Sequence, residues 1–135
     1  MFRILFLCTG NSCRSQMAEG YARKQAPSGV EIYSAGIEKH GMNRLAVKVM
    51  DEAGVPIDSH FSKTLDELSI EFDLVITLCG HADETCPAFQ GEKQHWGFPD
   101  PAKAVGNEDD VLDEFRTVRD NIFHKIDQFL QDMEL

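Results

Sequence analysis

Two cysteines and an arginine lie close together near the N-terminus, with a spacing suited to chemistry on an anion. Cys8 ends an apolar run, and the polar segment TGNS leads to Cys13 and Arg14. A thiolate is a strong nucleophile, and a guanidinium offers a planar fork of donors to two oxygens of an oxyanion. Gly10 and Asn11 can adopt left-handed conformations, which lets backbone N–H groups turn inward as a nest for a tetrahedral anion. The segment therefore predicts attack of Cys8 on a bound oxyanion.

The side chains beside this nucleophile allow more than one interpretation. Ser15 can hydrogen-bond the Cys8 sulfur and stabilise it as a leaving group, or it can cap the helix that follows. Cys13 is explained by packing within the loop. A single cysteine at the end of a strand is often only buried, but the spacing C-x5-R-S between a strand and a helix favours a nucleophile.

Hydrophobic patterning predicts the strands that position the loop. The runs FRILFLC and FDLVITLC are almost continuously apolar, which is typical of parallel strands buried on both faces. The segment VEIYSAG, residues 30–36, is a third strand, and KQHWGF is a weaker fourth candidate. Cys8 and Cys79 both end apolar strands, and parallel strands place their carboxyl ends at one sheet edge. The two thiols can meet there if the strands are neighbours.

Helical segments alternate with these strands. Residues 15–26 form one helix with an apolar face of Met17, Ala18, Tyr21 and Ala22. A second begins at Asn43 and ends at Gly54, and Thr64 to Glu67 fits a capping box that opens a short helix. Residues 108–133 carry an apolar stripe, and residues 80–107 are the long irregular stretch. The order predicts one doubly wound α/β domain over residues 1–135.

Composition limits the partners and the compartment. The chain has 135 residues, 42% of them hydrophobic, and a formal net charge of −10, which argues against nucleic acid and anionic membranes. The apolar run Ile4–Leu7 is too short for a signal peptide or a membrane span, so we expect a cytoplasmic protein. Four cysteines in a reducing compartment are reactive or metal-binding rather than a static framework. The spacing of the histidines and cysteines indicates no metal site, and we expect no cofactor.

The motifs together resemble one family. CTGNSCRS is similar to the phosphate-binding loop of low-molecular-weight protein tyrosine phosphatases and of the arsenate reductases built on that fold. SQMAEG, TLCGHADETCP and HWGFPDPA favour the thioredoxin-coupled reductases, and with YSAGIEKHG added the similarity covers most of the chain. The phosphatases usually have a proline in place of Gln16, an aromatic residue in place of Ala102 and no paired later cysteines. The resemblance implies a monomeric three-layer sandwich with a four-stranded parallel sheet, order 2-1-3-4, flanked by helices.

The resemblance also implies a sequence of thiol steps in arsenic detoxification. Cys8 attacks arsenate, and Asp100 protonates the departing oxygen. Cys79 then attacks the Cys8–arsenic adduct, which releases arsenite and leaves a Cys8–Cys79 disulfide. Cys86 attacks Cys79, and the Cys79–Cys86 disulfide is reduced by thioredoxin. Arsenate, and other tetrahedral oxyanions such as phosphate and sulfate, would bind to Thr9, Gly10, Asn11, Ser12, Cys13 and Arg14.

Two of these positions have further support from the residues themselves. Cys79 and Cys86 are spaced C-x6-C, which matches neither a zinc knuckle nor a C-x-x-C redox motif. A bond between them needs Cα atoms within about 7 Å, so we predict that residues 80–91 rearrange on oxidation. Asp100 lies between two prolines in a rigid turn, and apolar cover from Trp96 and Phe98 would favour its protonated form.

One position departs from the family pattern. In part of the family a potassium ion lies behind the anion loop, and Asn11, Glu19 and Ser34 match three of its ligands. Lys63 stands where the fourth ligand, an aspartate, is expected. An ammonium beside Glu19 would repel a cation, so Lys63 is either a built-in replacement for the ion or a surface lysine.

Three functions agree with these features to different degrees. Arsenate reduction uses all three thiols. Hydrolysis of phosphomonoesters, as in the phosphatases of this fold, needs Cys8, Arg14 and Asp100 but neither later cysteine. An oxyanion or metalloid sensor needs no general acid.

Overall fold

The structure is a computed structural model that describes residues 2–79 and 92–133. Within them the strands are β1 Phe2–Cys8, β2 Val30–Gly36, β3 Leu74–Thr77 and β4 Glu92–His95. The α-helices are α1 Arg14–Gln25, α2 Arg44–Glu52 and α3 Glu108–Asp132. Two 3₁₀ turns cover Leu65–Glu67 and Pro101–Lys103. No helix in this part of the chain is long and apolar enough to cross a membrane.

The four strands form one parallel sheet in the order β2-β1-β3-β4. β1 lies inside the sheet, where Phe6 is paired with Ser34 of β2 and with Ile76 of β3. Because the pairing is parallel, Cys8 at the carboxyl end of β1 lies beside Gly36 at the end of β2. The α/β class and the strand order expected from the sequence are confirmed.

The strand predictions differ in how closely they match the structure. β1 and β2 have the predicted bounds, whereas regular pairing of β3 ends at Thr77, before the predicted end at Cys79. Backbone pairing still continues one step further, since Leu78 N donates to Leu7 O at 2.9 Å. β4 confirms the fourth candidate strand, so the irregular stretch predicted over 80–107 was drawn too widely. The predicted rearrangement of residues 80–91, and Cys86 within them, lie outside the described residues.

The helices are fixed by caps and by a shared core. The Asn43 side chain accepts from two backbone N–H groups of α2, and the Thr64 capping box is present. Helix α3 contacts both α1 and α2, which joins the three described helices on the sheet. Trp96 lies between β1 and α3, with its ring 5.9 Å from that of Phe6 and 5.3 Å from that of Phe129. The predicted apolar stripe of α3 is buried at Phe115, Val118, Ile122 and Ile126.

Candidate active site

The loop between β1 and α1 is held from outside through its carbonyl groups. The backbone N–H groups of Ile37, Glu38, His40 and Asn43 donate to four of the carbonyls of residues 8–12 at 2.8–3.1 Å. Asn11 has φ of 49°, the left-handed conformation that its short polar side chain tolerates. The C=O and N–H groups of a trans peptide unit point in opposite directions. Because the carbonyl groups face residues 37–43, the N–H groups of the same peptide units face away from that segment. That arrangement suits a tetrahedral anion.

A cavity of about 520 Å³ lies at this loop. Its lining residues are Cys8, Thr9, Gly10, Ser12, Cys13, Arg14, His40, Cys79, Asp100, Ala102 and Lys103. The structure thus brings together the predicted nucleophile, the predicted anion-binding arginine, the predicted general acid and the second thiol.

Cys8 is buried, and Ser15 is a close polar partner of its sulfur. Its Sγ lies 2.8 Å from Ser15 Oγ, and Asn11 Nδ2 donates to the same Oγ at 2.8 Å. Ser15 is the second residue of α1, whose N-cap is Cys13 without a side-chain capping bond. The alternative that Ser15 caps the helix is therefore wrong, because its hydroxyl faces the Cys8 sulfur.

Arg14 and Asp100 face one another across the cavity. Arg14 Nη1 donates to Phe98 O at 2.9 Å, and Arg14 Nη2 lies 3.7 Å from Asp100 Oδ2. The other carboxylate oxygen of Asp100 accepts from Ala102 N at 3.0 Å, which caps the 3₁₀ turn Pro101–Lys103. One Asp100 oxygen is thus used by the turn and the other faces the guanidinium. A carboxyl group in this position can exchange a proton with a group bound in the cavity.

Cys79 reaches the same loop from β3. It is 8% exposed, and its Sγ lies 3.1 Å from Thr9 Oγ1, in the residue that follows Cys8. The expectation that the two strand-end thiols meet at one sheet edge agrees with this placement. Cys8 and Cys13 are free thiols.

Cys13 differs chemically from Cys8 although it lines the same cavity. Burial and, secondarily, the nearby Asp100 carboxylate raise the pKa of the Cys13 thiol, so it stays protonated at neutral pH. A protonated thiol is a poor nucleophile. This agrees with the interpretation that Cys13 serves the packing of the loop.

A polar cluster behind the loop contains the departure noted in the sequence. Ser34 Oγ donates to the Glu19 carboxylate. Lys63 Nζ lies 3.7 Å from Glu19 Oε1 and 3.5 Å from Ser34 Oγ, and Lys63 N donates to Asn11 Oδ1 at 2.9 Å. Arg23 Nη2 is 2.9 Å from the second Glu19 oxygen. The Lys63 side chain is 13% exposed, so it is not an ordinary surface lysine.

Similarity to known proteins agrees with this geometry. The chain matches the model of the low molecular weight phosphotyrosine protein phosphatases over residues 3–135. It belongs to that family. An arsenate reductase of Halalkalibacterium halodurans is 53% identical over 131 residues, which are 95% of this chain and 94% of the relative. A solved arsenate reductase in the phosphate binding state is 29% identical, with a TM-score of 0.81 and 98% of each chain covered. One in the oxidized state is 28% identical, with a TM-score of 0.83 and the same coverage.

The family resemblance expected from the motifs is thus confirmed, but the motifs predict no role for several residues that surround the loop. Gln16 is fully buried and contacts Asn11, Phe61 and His60. Ser62 Oγ donates to Asn11 O at 2.6 Å. A run of polar residues at the start of a helix that follows an anion loop could have indicated that Gln16 contacts the loop. Nothing in the pattern of residues 60–62 indicates that they return to it.

Proposed function

We propose that this protein reduces arsenate to arsenite by a thiol relay. The observation that carries the proposal is the position of Cys79, whose sulfur lies 3.1 Å from Thr9 Oγ1 in the cavity that Cys8 lines. Phosphate ester hydrolysis needs one nucleophilic thiol and gives no reason for a second thiol there. The arsenate reductases among the relatives support the same choice.

The proposed chemistry begins with a covalent adduct. The Cys8 thiolate attacks the arsenic of an arsenate held by Arg14 and the loop amides, and Asp100 donates a proton to the oxygen that leaves as water. The Cys79 thiolate then attacks Cys8 Sγ. The sulfur–arsenic bond breaks and its electron pair stays on arsenic, which leaves as arsenite with arsenic reduced from the +5 to the +3 state. Ser15 stabilises the Cys8 thiolate that attacks arsenic, and later the Cys8 thiolate that is released from the Cys8–Cys79 disulfide.

Regeneration of the enzyme requires a further thiol and an external reductant. In the proposed cycle Cys86 attacks Cys79, frees Cys8 and forms a Cys79–Cys86 disulfide. A dithiol protein of the thioredoxin class reduces that disulfide and supplies the two electrons given to arsenic. The proposed setting is the cytoplasm, where one domain acting as a monomer contributes to arsenic detoxification.

The test is arsenate-dependent oxidation of NADPH coupled through thioredoxin and thioredoxin reductase. The wild type should turn over, and Cys79→Ser and Cys86→Ser should not. Both variants should keep any weak hydrolysis of an aryl phosphate, while Cys8→Ser should lose both activities. Catalytic reduction by Cys79→Ser would refute the relay. Efficient aryl phosphate hydrolysis without arsenate turnover in the wild type would favour the phosphatase alternative.

A further inference from the structure

Asp100 presents a carboxylate oxygen to the cavity in which the oxyanion is expected to bind. Ala102 N donates to Asp100 Oδ1 at 3.0 Å, whereas Oδ2 lies 3.7 Å from Arg14 Nη2. Arg14 Nη1 is used by Phe98 O at 2.9 Å, so Nη2 is the guanidinium nitrogen that faces the carboxylate. An oxyanion held at Arg14 Nη2 would therefore lie close to Asp100 Oδ2.

The loop amides and Arg14 do not distinguish between dianions of the same shape. Hydrogen arsenate, hydrogen phosphate and sulfate are all tetrahedral and carry two negative charges. Backbone N–H groups and a guanidinium only donate hydrogen bonds, and the oxygens of all three anions accept them. The anions differ in one respect near neutral pH. Arsenate and phosphate keep at least one O–H group, and sulfate has none.

An ionised carboxylate responds to that difference because it only accepts hydrogen bonds. Two oxygens form a hydrogen bond at about 2.5–3.0 Å only when a proton lies between them, and an ordinary aspartate is ionised at neutral pH. Arsenate and phosphate supply this proton, whereas sulfate makes the contact only after Asp100 has taken a proton from solvent. We propose that Asp100 is a specificity-determining residue that admits protonated oxyanions and rejects sulfate at neutral pH. The inference rests on the oxyanion site of the proposed function and deepens it by naming the substrate class.

Asp100→Asn is the variant that should abolish this selection while keeping the side-chain shape. Ala102 N can only donate, so the asparagine oxygen stays in the place of Oδ1 and the NH₂ group takes the place of Oδ2. That group donates to an oxygen of sulfate, and the negative charge is absent. Sulfate should therefore bind to this variant at least as tightly as phosphate. Asp109→Asn is the control, because it removes the same charge from the exposed first turn of α3, outside the cavity lining.

The measurement is the dissociation constant of sulfate and of phosphate by isothermal titration calorimetry. Cys8→Ser is the common background, because it removes a thiolate whose charge would also change with pH. At neutral pH, phosphate should bind at least about tenfold more tightly than sulfate, as expected for one hydrogen bond to a charged group. This preference should be lost when Asp100→Asn is added and kept when Asp109→Asn is added.

The affinity for sulfate should also depend on pH in a defined direction. It should fall as the pH rises, by up to about tenfold per pH unit, because binding takes up one proton. Adding Asp100→Asn should remove this part of the pH dependence. The other charged or titratable groups that line the cavity are unchanged by that substitution, so their effects cancel in the comparison: Cys13, Arg14, His40, Cys79 and Lys103.

A count of protons tests the proposal even if Asp100→Asn does not fold. Calorimetry at mildly acidic pH in two buffers of different ionisation enthalpy should show that sulfate takes up about one proton more than phosphate. Equal proton uptake with the two anions, or an unchanged phosphate preference in Asp100→Asn, would overturn the proposal. Equal affinity for both anions at neutral pH would refute the selection alone. Absence of binding of either anion would refute the oxyanion site of the proposed function as well.

Discussion

At the scale of single residues, folding changes the environment of the titratable His60 imidazole. Burial lowers the pKa of His60, and the nearby Glu19 carboxylate opposes that effect only in part. A lowered pKa means that the unfolded chain binds more protons than the folded one just below the ordinary histidine pKa of about 6.5. The contribution of His60 to the free energy of unfolding is therefore fully present above that pH. It is lost as the pH falls from there through the lower pKa of the folded state.

We expect the substitution His60→Asn to remove this pH dependence. An asparagine nitrogen can replace Nδ1 as donor to Gln16, but the side chain does not titrate. Urea unfolding at pH 5 and pH 7 should show a smaller loss of stability at the lower pH in the variant than in the wild type. The losses of the two proteins should differ by less than about 1.4 kcal/mol per pH unit, which is the limit for one proton. His124→Asn, an exposed position on α3, is the control and should leave the wild-type loss unchanged. An unchanged loss in His60→Asn would contradict the assignment.

Lys63 and Lys39 illustrate how burial determines the contribution of an ion pair to the free energy of unfolding. The Lys63–Glu19 pair has side chains 13% and 4% exposed, whereas those of Lys39 and Glu67 are 52% and 45% exposed. Removing one partner of a buried pair leaves an uncompensated charge, and exposed pairs contribute little. Arg23 remains beside Glu19, which limits the cost.

We therefore expect Lys63→Met to lower the free energy of unfolding by about 1–3 kcal/mol and Lys39→Met by less than about 1 kcal/mol. If Lys63 is a built-in cation, the wild type should melt at the same temperature in sodium and potassium chloride. A rise of several degrees in potassium for the wild type would show that an ion, rather than the ammonium, completes the cluster.

At the scale of elements, the end of β2 acts as a support for the anion loop. A Cβ added to Gly36 would lie 2.4 Å from Glu38 O, 2.8 Å from Asn11 N and 2.9 Å from Thr9 O. All three are backbone atoms, so either β2 or the loop would have to move. The absence of a side chain at Gly36 is thus a condition for the loop geometry.

Gly36→Ala should therefore destabilise the protein by about 1–3 kcal/mol and weaken oxyanion binding. Gly97→Ala is the matched control, because among the described residues its added Cβ would meet only the His95 side chain, at 3.4 Å. Thermal unfolding with and without phosphate measures both effects. Phosphate should stabilise Gly97→Ala and the wild type equally and Gly36→Ala less. Equal stabilisation of all three would mean that the loop tolerates the extra carbon.

Elements also show which features could be predicted from the sequence. β1 and β2 were predicted with their observed bounds because their apolar runs end at residues that form turns. The Asn43 cap was equally local. The contacts of Gln16 with His60 and Phe61 could not be predicted, because they depend on a segment more than forty residues away returning to the loop. Local patterns predict Cys8 as the nucleophile, but tertiary packing determines its hydrogen-bond partners.

At the scale of the whole molecule, an acidic protein has to attract an anionic substrate. The formal net charge is −10, yet Arg14 and Lys103 both line the cavity. Charges further away than about 8 Å are largely screened at physiological ionic strength. The local cations, rather than the net charge, should therefore decide how strongly an oxyanion binds.

A comparison of Lys103→Gln with Lys48→Gln tests the role of the local cations, since each substitution removes one positive charge. Lys48 is the control, because it lies on the exposed side of α2, outside the cavity. An exposed cation near a bound dianion contributes on the order of 1 kcal/mol, so Lys103→Gln should raise KM for arsenate several-fold with kcat little changed. Lys48→Gln should leave both constants as in the wild type. The increase in KM should shrink as potassium chloride is raised from low to physiological concentration, because salt screens an exposed charge. Equal increases in the two variants would mean that the acidic field of the whole molecule, and not the cavity lining, governs access of the substrate.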